Sequence, residues 1–409
     1  MSLDTNHSLH DAEAFLVSDP LSSEEGRLAL LSLIAKGVPA RERGEEDTRD
    51  AVNLLRDAGV GKLRISKDEG GYGLSLPELI GFATLLGQSD PSVAQILRNH
   101  FAFVEHALRN RGLAHYERGL TFVKQGKLIG LGATEQGVAQ AGTMKSDTAL
   151  VRENDEFRMT GRKFYSTGNM YSDYIRVYAS LDGQLISALI PADREGVAFE
   201  DDWDGFGQSR TASGTTVLAN VRVLPEEIFP AEEKVKLPFS ATFPQLYLTA
   251  IVVGIIREVE ADAISVLKRR GRNFYHAVAE QPTEDPLLQA DIGRIASIAF
   301  VAESAVIRAA TALGAAFDSA INGEIDHQAF ELAAQYVAKS KVILDGLALD
   351  AANSLFSVAG ASATSRAAQL DRHWRNIRTL ASHNPVSYKA RAIGNHAVNG
   401  NSLPSAGFF

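Results

Sequence analysis

The chain has 409 residues, a length that predicts two or three domains at roughly 150 residues per domain. Acidic side chains outnumber basic ones by 50 to 41, and the net charge of -9 is not the balance of a nucleic-acid-binding protein, which needs clustered positive charge. The chain contains no cysteine, which excludes disulfides, iron–sulfur clusters, thiolate zinc sites and cysteine nucleophiles. Its chemistry must therefore use serine, histidine, carboxylates or a bound organic cofactor.

Three zones follow one another along the chain. Residues 1–127 show helical periodicity, with an Asp-Pro pair at 90–91 that is typical of a helix start. Residues 128–233 switch to alternating, β-branched and aromatic segments, and the turn at 181–183 predicts a hairpin. Residues 234–409 return to long, alanine-rich helical periodicity. This order predicts an α+β fold: an N-terminal helical domain, a central β domain and a C-terminal helical domain.

The sequence shows neither a membrane span nor a secretion signal. Its longest apolar run covers residues 246–256, which is shorter than the span of about 20 residues that a bilayer needs. The N-terminal residues lack the basic and apolar regions of a signal peptide. We therefore expect a cytoplasmic protein that binds no membrane.

Two of the ten histidines are candidate catalytic groups. His100 lies at the edge of an apolar helical stripe, where partial burial would tune an acid/base group. A core histidine bonded to a carbonyl is the alternative. His383 lies between two helices, where it can act beside a ligand or cap a helix. The histidines show no metal-ligand spacing, so no metal site is predicted.

Small and hydroxyl residues cluster at the ends of two predicted strands, in segments 132–137 and 163–168. Glycine and alanine allow a flat ligand to approach the backbone, and hydroxyl groups can bond the carbonyls of its ring. Turn formation explains the same residues. The two segments are thus candidate ligand-binding strands with a structural alternative.

In their order along residues 45–400, these segments resemble the acyl-CoA dehydrogenase fold family of flavoproteins. Segments 131–135 and 163–167 are similar to its two flavin strands. Segment 272–274 is similar to the region that reaches a neighbouring subunit's flavin phosphates, and 356–360 to a C-terminal helix. The resemblance implies a β-barrel-like central domain, a C-terminal four-helix bundle and a homotetramer. The flavin contacts that it implies are Leu131, Ala133, Thr134, Tyr165, Thr167, Arg272, Gly360 and Asn384.

The sequence departs from the dehydrogenases at the position of their catalytic base. Many of them carry a Tyr-Glu-Gly-like turn, where this chain has His383 and Asn384, and an amide cannot remove a proton. The alternative location of the base, residues 246–253, holds no carboxylate. The stretch 380–385 resembles instead the flavin-dependent monooxygenase branch. That branch includes dibenzothiophene monooxygenase and the sulfone and sulfinate monooxygenases.

Members of this branch take reduced flavin from a separate NAD(P)H:flavin reductase and activate O2 as a flavin C4a-(hydro)peroxide. The resemblance implies that His100 and His383 face the reactive side of the ring, with Ser166 as a donor near N5. The expected apolar walls of the substrate pocket are Phe101, Phe103 and Trp203.

The sequence therefore predicts a two-component flavin monooxygenase for a small organosulfur or aromatic substrate. FMN is favoured over FAD, because the Gln and second Gly that contact the FAD adenylate in the dehydrogenases are Ser357 and Ala361 here. An FAD-dependent acyl-CoA dehydrogenase with a displaced base is the alternative.

Overall fold

The computed structural model describes residues 19–136, 146–230, 237–321, 325–405 and 409. Within them, helices come first, eight strands follow, and helices return, which confirms the predicted fold class. The helices are α1 (Glu24–Lys36), α2 (Val38–Arg43), α3 (Thr48–Asp57), α4 (Leu76–Ser89), α5 (Pro91–Arg109), α6 (Ala114–Lys124), α7 (Thr242–Arg269), α8 (Pro286–Ile321), α9 (His327–Ala359), α10 (Asp371–Ala381) and α11 (Val386–Asn399). The strands are β1 (Ile129–Gly132), β2 (Ala149–Glu153), β3 (Glu156–Lys163), β4 (Tyr174–Leu181), β5 (Gln184–Pro191), β6 (Val197–Glu200), β7 (Thr215–Val223) and β8 (Ile228–Phe229).

Helix α5 begins where the sequence predicts. Asp90 is its N-cap, and the carboxylate accepts hydrogen bonds from the backbone N–H groups of Ser92 and Val93. Pro91 occupies the first turn, where a missing N–H costs nothing. Nε of Arg41 donates to the same carboxylate at 2.9 Å. The cap therefore both starts α5 and ties it to α2.

The strands form one sheet in the order β6-β7-β3-β2-β4-β5-β8, and β1 pairs in parallel with β4. The hairpin predicted around residues 181–183 is present, because β4 pairs antiparallel with β5 as far as Leu181 opposite Gln184. Its turn residues, Asp182 and Gly183, have φ of 52° and 79°. Such left-handed values match the natural twist of a two-residue hairpin.

One apolar core runs from the N-terminal helices into the C-terminal helices. Its buried residues come from α1, α3, α4 and α5 as well as from α7, α8 and α9. Helices α4 and α7 cross closely at Gly87 and Gly254, where a Cβ on either residue would lie within 3.0 Å of the partner backbone. The helices before and after the sheet thus pack together, and the boundaries of the three predicted domains stay a prediction.

Helices α8 and α9 are long, apolar and only partly covered. By length and composition alone each could cross a membrane, but their most apolar stretches are already 39% and 44% buried within the helical core. Phe300 and Ile307, seven residues apart on one face of α8, are 73% and 55% exposed. Leu332 and Ile343 are exposed on one face of α9. A single chain leaves these apolar faces uncovered.

Candidate active site

The middle of helix α5 contacts two parts of the candidate site: the turn that holds His383 and the segment after β3. Nη1 of Arg98 lies 3.2 Å from Nε2 of His383, in the turn between α10 and α11. The next residue, Asn99, donates from Nδ2 to the carbonyl oxygen of Thr167 at 3.2 Å, in the segment after β3. Two distant parts of the chain are thereby held against adjacent positions of one helix.

Arg98 fixes the state of the His383 ring. A guanidinium can only donate hydrogen bonds, so Nε2 accepts and the ring hydrogen resides on Nδ1. Burial, together with the charges of Arg98, Lys341 and Lys389, lowers the pKa of His383 to about 3. The ring is therefore neutral at pH 7, with a fixed donor side and a fixed acceptor side.

The surroundings of His383 are cationic. Lys341 donates to Asp345 at 2.7 Å, and burial together with Lys341 lowers the pKa of Lys389 to about 8. In the part of the chain that the structure describes, no cluster of three or more His, Asp or Glu side chains could hold a metal ion. The arrangement can bind an anionic or electron-rich ligand and hold a hydrogen at Nδ1 of His383.

His100 lies two residues after Arg98 and is turned by about 200° around the helix axis. Its Nε2 lies 3.0 Å from the carbonyl oxygen of Gly61, and its Nδ1 accepts from the N–H of Ile129 at 3.1 Å. Burial lowers the pKa of His100 to about 4. Both ring nitrogens contact the main chain, which is the structural alternative that the sequence leaves open. The catalytic role of His100 stays an untested prediction that these contacts do not favour.

The two candidate binding strands meet at their ends. The N–H of Phe164 donates to the carbonyl oxygen of Thr134 at 2.8 Å. Tyr165 follows with φ of 53° and a 60% exposed side chain, and its ring centroid lies 6.1 Å from that of Trp203. Gly137, in the first of these segments, lies outside the described residues. The structure therefore brings Thr134, Tyr165 and Trp203 to one accessible edge.

A chain of hydroxyl groups connects Thr167 to Trp203. The Oγ1 of Thr167 lies 2.8 Å from Oγ of Ser213, which lies 2.7 Å from Oγ1 of Thr211. Both Thr211 Oγ1 and Trp203 Nε1 donate to the carbonyl oxygen of Gln208, at 2.8 and 3.0 Å. Thr167 is thus a buried part of a network that positions the indole ring.

Asn169 is a positioning residue that the sequence interpretation missed. Its Oδ1 accepts from the N–H of Leu131 at 2.8 Å, and its Nδ2 donates to Oγ1 of Thr216 at 3.1 Å. The side chain therefore joins β1 to β7. Its position directly after a glycine in a turn is a signal, but turn formation alone explains it. Near the same strand ends lie half-buried Leu131 and Ala133 and buried Ser166.

A buried ion pair fixes the end of the first candidate strand. Lys163, fully buried, donates to Glu135 and to Oγ of Ser146. Glu135 also accepts from the hydroxyl of Thr148 at 2.6 Å. Although burial opposes ionisation, these hydrogen bonds lower the pKa of Glu135 to about 2. The charged pair holds the two strands in register beside Thr134.

Phe101 and Phe103 lie in the interior of the protein. Phe101 is fully buried, and its ring centroid lies 6.0 Å from that of Tyr247. Phe103 packs against Tyr116 and Phe229 in a separate apolar cluster between α5, α6 and the sheet. Their periodicity reflects core packing, so these contacts do not support the predicted pocket walls at either position.

Arg272 and Gly360 lie at neighbouring chain segments. Arg270 joins them, because its Nη1 donates to the carbonyl oxygen of Val358 at 3.1 Å and its Nε to that of Arg272 at 3.2 Å. Gly360 has φ of 70°, a value that glycine adopts without strain. The Arg272 side chain is exposed, as a contact with a neighbouring subunit's ligand would require.

Several buried polar atoms have no hydrogen-bond partner among the described residues. Among them are Oε1 of Gln95, the hydroxyl of Tyr247, and both Oε1 and Nε2 of Gln208. Buried polar groups in proteins are nearly always bonded. Gln95 and Arg98 lie one turn apart on α5, and the Tyr247 hydroxyl acts on the pKa of Arg98. Each of these groups is therefore able to bond a ligand that reaches it.

Comparison with known proteins shows what the chain is similar to. The family profile described as acyl-CoA dehydrogenase, C-terminal domain, matches residues 246–388. A dibenzothiophene monooxygenase of Mycolicibacterium goodii is 32% identical over 275 residues, covering 64% of this chain and 66% of that protein. The "probable FMNH2-dependent monooxygenase SfnC" of Pseudomonas putida is 28% identical over 388 residues, or 91% of each chain.

A solved structure agrees over nearly the whole chain. TdsC from Paenibacillus sp. A11-2, in complex with FMN and indole, gives a TM-score of 0.84 at 26% identity, covering 93% of this chain and 98% of TdsC. The chain belongs to the flavin-dependent monooxygenases of the acyl-CoA dehydrogenase fold. Butyryl-CoA dehydrogenase from Megasphaera elsdenii, at 17% identity and a TM-score of 0.76 over 94% of this chain and all of its own, shares the fold.

Asn384 is the residue that the sequence compares with the catalytic base of the dehydrogenases. Nδ2 of Asn384 donates to Oε1 of Gln245 on α7 at 2.7 Å, so the side chain ties the turn to that helix. The charges that act on the pKa of neighbouring His383 are all cationic. The described contacts therefore place an amide and a neutral imidazole side by side in this turn, with cationic groups around the imidazole.

Proposed function

We propose that this monooxygenase is the oxygenase of a two-component system that uses reduced FMN and O2 to oxygenate a small organosulfur or aromatic substrate. An NAD(P)H:flavin reductase supplies the reduced flavin, and the enzyme acts in the cytoplasm. One observation carries the proposal: a neutral His383 is held by Arg98. Its neighbour Asn384 is the amide that the sequence compares with the dehydrogenase base. The FMN in TdsC and the FMNH2-dependence in the name of SfnC support it.

The polar groups of the site fit a flavin ring. The pyrimidine edge of a flavin alternates hydrogen-bond donors and acceptors. Gln208 offers an amide N–H and an amide oxygen, and Tyr247 offers a hydroxyl, all without partners among the described residues. Thr134 and Tyr165 are exposed at the strand ends, where a ring could lie against them. The remaining proposed flavin contacts are Leu131, Ala133, Thr167 and Asn384.

Bound reduced flavin supplies the two electrons with which O2 gives one oxygen atom to the substrate and one to water. His383 holds a hydrogen at Nδ1 while Arg98 holds its Nε2, so the ring can donate to a developing negative oxygen. Ser166 is a second proposed donor: its one hydroxyl hydrogen is directed at the carbonyl oxygen of Lys163 over a long 3.3 Å, and a bound ring can compete for that hydrogen. Because the pKa of His383 is about 3, its protonation should not limit activity between pH 6 and 9.

We propose further that the enzyme is a homotetramer with flavin at a subunit boundary. The uncovered apolar faces of α8 and α9, around Phe300 and Ile343, are the kind of surface that subunits bury. Arg272 is exposed beside the segment that ends at Gly360, where it can reach the flavin phosphates of a neighbouring subunit.

The decisive experiment supplies the enzyme with FMN, NADH, a flavin reductase and isotopically labelled O2, and offers dibenzothiophene, indole and benzenesulfinate in turn. We expect one labelled oxygen atom in the product of at least one of them, dependent on both reductase and FMN. Unlabelled or absent product, together with bleaching of the bound flavin by an acyl-CoA, would favour the dehydrogenase alternative and refute the proposal.

A further inference from the structure

Three hydroxyl side chains form a continuous series of hydrogen bonds beside the segment that follows β3. Oγ1 of Thr211 lies 2.8 Å from the carbonyl oxygen of Gln208, and Oγ of Ser213 lies 2.7 Å from Oγ1 of Thr211. Oγ1 of Thr167 lies 2.8 Å from Oγ of Ser213. Thr211 is fully buried, whereas Ser213 and Thr167 keep 6% and 4% of their surface exposed. We call Thr211, Ser213 and Thr167 the hydroxyl chain.

The backbone on both sides of Thr167 holds the hydroxyl chain together. The N–H of Ser166 donates to the carbonyl oxygen of Gly214 at 3.0 Å. The N–H of Gly168 donates to the carbonyl oxygen of Thr211 at 3.1 Å. These two bonds lie one residue before and one residue after Thr167, and they fix its segment against the segment that carries the other two hydroxyls. The hydroxyl oxygens are therefore held at hydrogen-bonding distance by the main chain.

The direction of each hydrogen bond follows from the buried end of the hydroxyl chain. A carbonyl oxygen can only accept, so Thr211 donates its one hydroxyl hydrogen to Gln208. Thr211 then has no hydrogen left, and Ser213 must donate to it. For the same reason Thr167 must donate to Ser213. Thr167 and Ser213, which keep some exposed surface, can therefore only accept a hydrogen bond from a ligand.

The carbonyl oxygen that ends the hydroxyl chain is itself fixed. It also accepts from Nε1 of Trp203 at 3.0 Å, and the N–H of Gln208 donates to Oδ1 of Asn376 at 2.6 Å. The carbonyl group therefore cannot turn away and release the hydrogen of Thr211. A ligand could take the hydrogen of Thr167 only by breaking its 2.8 Å bond to Ser213, and breaking a bond between buried hydroxyls is costly.

The neighbouring hydroxyl of Ser166 differs from that of Thr167. Its hydrogen is directed at the carbonyl oxygen of Lys163 over 3.3 Å, a long bond for a hydroxyl group. A ligand can compete for this hydrogen without disturbing any other hydroxyl. Adjacent positions of the chain thus offer one adaptable hydroxyl and one that can only accept.

We propose that the hydroxyl chain makes the site select reduced over oxidised flavin, with Thr211 and Ser213 as positioning residues that keep Thr167 an acceptor. The inference rests on the proposed function, in which Thr167 contacts the flavin. Reduction adds hydrogen to ring nitrogens of a flavin, so a nitrogen that accepts in the oxidised ring donates in the reduced ring. An oxygen that can only accept bonds the reduced ring and leaves that nitrogen of the oxidised ring without a partner.

This selectivity suits an oxygenase that receives its flavin in the reduced form. A protein selects one state of a ligand only through a difference in binding free energy, and the difference here is one hydrogen bond. Thr211 has no exposed surface and cannot touch the flavin, so it acts only through the direction of the bonds that it imposes on Ser213 and Thr167.

The test measures the preference for reduced FMN in the wild type and in Thr211→Val, which removes the buried hydroxyl but keeps the shape of the side chain. Titration calorimetry gives the dissociation constant of oxidised FMN, and anaerobic spectroelectrochemistry gives the midpoint potential of bound against free FMN. We expect the wild type to bind reduced FMN more tightly. In Thr211→Val, Ser213 can donate to Thr167, and the preference should fall about tenfold, which lowers the potential by about 30 mV.

Three further variants separate the direction of the bonds from packing. Ser213→Ala frees the hydrogen of Thr167 and should lower the potential as Thr211→Val does. Thr211→Ser keeps a hydroxyl and should restore the potential of the wild type. The matched control is Thr84→Val, because the buried hydroxyl of Thr84 also donates to a carbonyl oxygen, that of Ile80 in α4, at 3.0 Å. This control should leave the potential unchanged.

A wild type that binds oxidised FMN at least as tightly as reduced FMN would overturn the proposal. An unchanged potential in Thr211→Val and Ser213→Ala, with or without equal weakening of both forms of FMN, would overturn it too, because the hydroxyl chain would then only support the fold. The experiment with labelled O2 separates the two levels. The expected shift without any oxygenated product would refute the proposed function alone, whereas labelled product with an unchanged potential would refute this inference alone.

Discussion

His383 and His100 are the same residue type in very different bonding environments. His383 accepts from Arg98, a residue 285 positions away, and keeps a hydrogen at Nδ1. His100 is bonded on both sides by the main chain of Gly61 and Ile129. The sequence singles out both rings, but it cannot distinguish them, because periodicity says which face a residue occupies and not which atoms meet it there.

The first prediction at the residue scale concerns His383→Ala. We expect FMN affinity to stay within about twofold, oxygenated product to fall about 100-fold and H2O2 released per product to rise, since a missing general acid/base group costs 100-fold or more. Product analysis and peroxide assay measure the effect, with exposed His327→Ala as the control. Unchanged coupling of O2 use to product would contradict the role of His383.

The second prediction at the residue scale concerns the stability of the protein in acid. Burial lowers the pKa of both His100 and His373 to about 4, while an unfolded chain titrates histidine near 6.5. The unfolded chain therefore binds protons first, and the free energy of unfolding falls as the pH drops from 6.5 towards 4. At pH 5 each histidine should account for a loss of about 2 kcal/mol.

Urea unfolding at pH 7 and pH 5 measures this loss. His100→Gln should show a smaller difference between the two pH values than the wild type, whereas the same change at exposed His276 should leave the difference intact. Identical pH dependence in His100→Gln and the wild type would show that another group controls acid stability.

At the scale of elements, local signals predict where helices and turns begin. The Asp90 cap of α5 and the hairpin turn at Asp182 and Gly183 lie where the sequence places them. Both depend on residues within a few positions of one another, so the sequence contains the whole interaction. The crossing of α4 and α7 does not depend on neighbouring residues, because Gly87 meets the backbone of Ile251 across the core.

The prediction at this scale contrasts two glycines of α4. At Gly87 a Cβ would lie 2.9 Å from the Cα of Ile251, whereas at exposed Gly81 it would meet nothing within 4 Å. Gly87→Ala should lower the free energy of unfolding by about 1–3 kcal/mol because the helices must move apart. Gly81→Ala should raise it by up to about 1 kcal/mol through helix propensity. Urea midpoints measure both, and equal effects would contradict the close crossing.

At the scale of the whole molecule, the helices that precede the strands in the sequence and the helices that follow them form one core. The three zones of the sequence do not reveal this shared core. The same packing leaves apolar faces on α8 and α9 at the surface. Phe300 and Ile307 occupy one stripe, with Leu332 and Ile343 on the next helix. Scattered apolar side chains are ordinary on a surface, but a stripe of large ones is the kind of surface that the proposed tetramer would bury.

The prediction at this scale is loss of assembly. Phe300→Glu should convert the proposed tetramer to smaller species in sedimentation velocity, because a charge would be buried without a partner. It should also weaken FMN binding if Arg272 reaches a neighbouring subunit's flavin. Val151→Glu, on exposed β2, is the control and should leave the mass unchanged. A Phe300→Glu tetramer would show that the subunits meet elsewhere.

The sequence by itself determines the order of helices and strands, the caps and the hairpin, and the resemblance to flavin monooxygenases, because each depends on residues close together or on a preserved order. Tertiary structure alone decides which histidine is bonded by the main chain, that Phe101 and Phe103 are core, and that Arg98 has no carboxylate among the described residues. These properties depend on burial and on partners from distant parts of the chain. The absence of cysteine favours an organic cofactor, and we propose that such a cofactor binds at the candidate site.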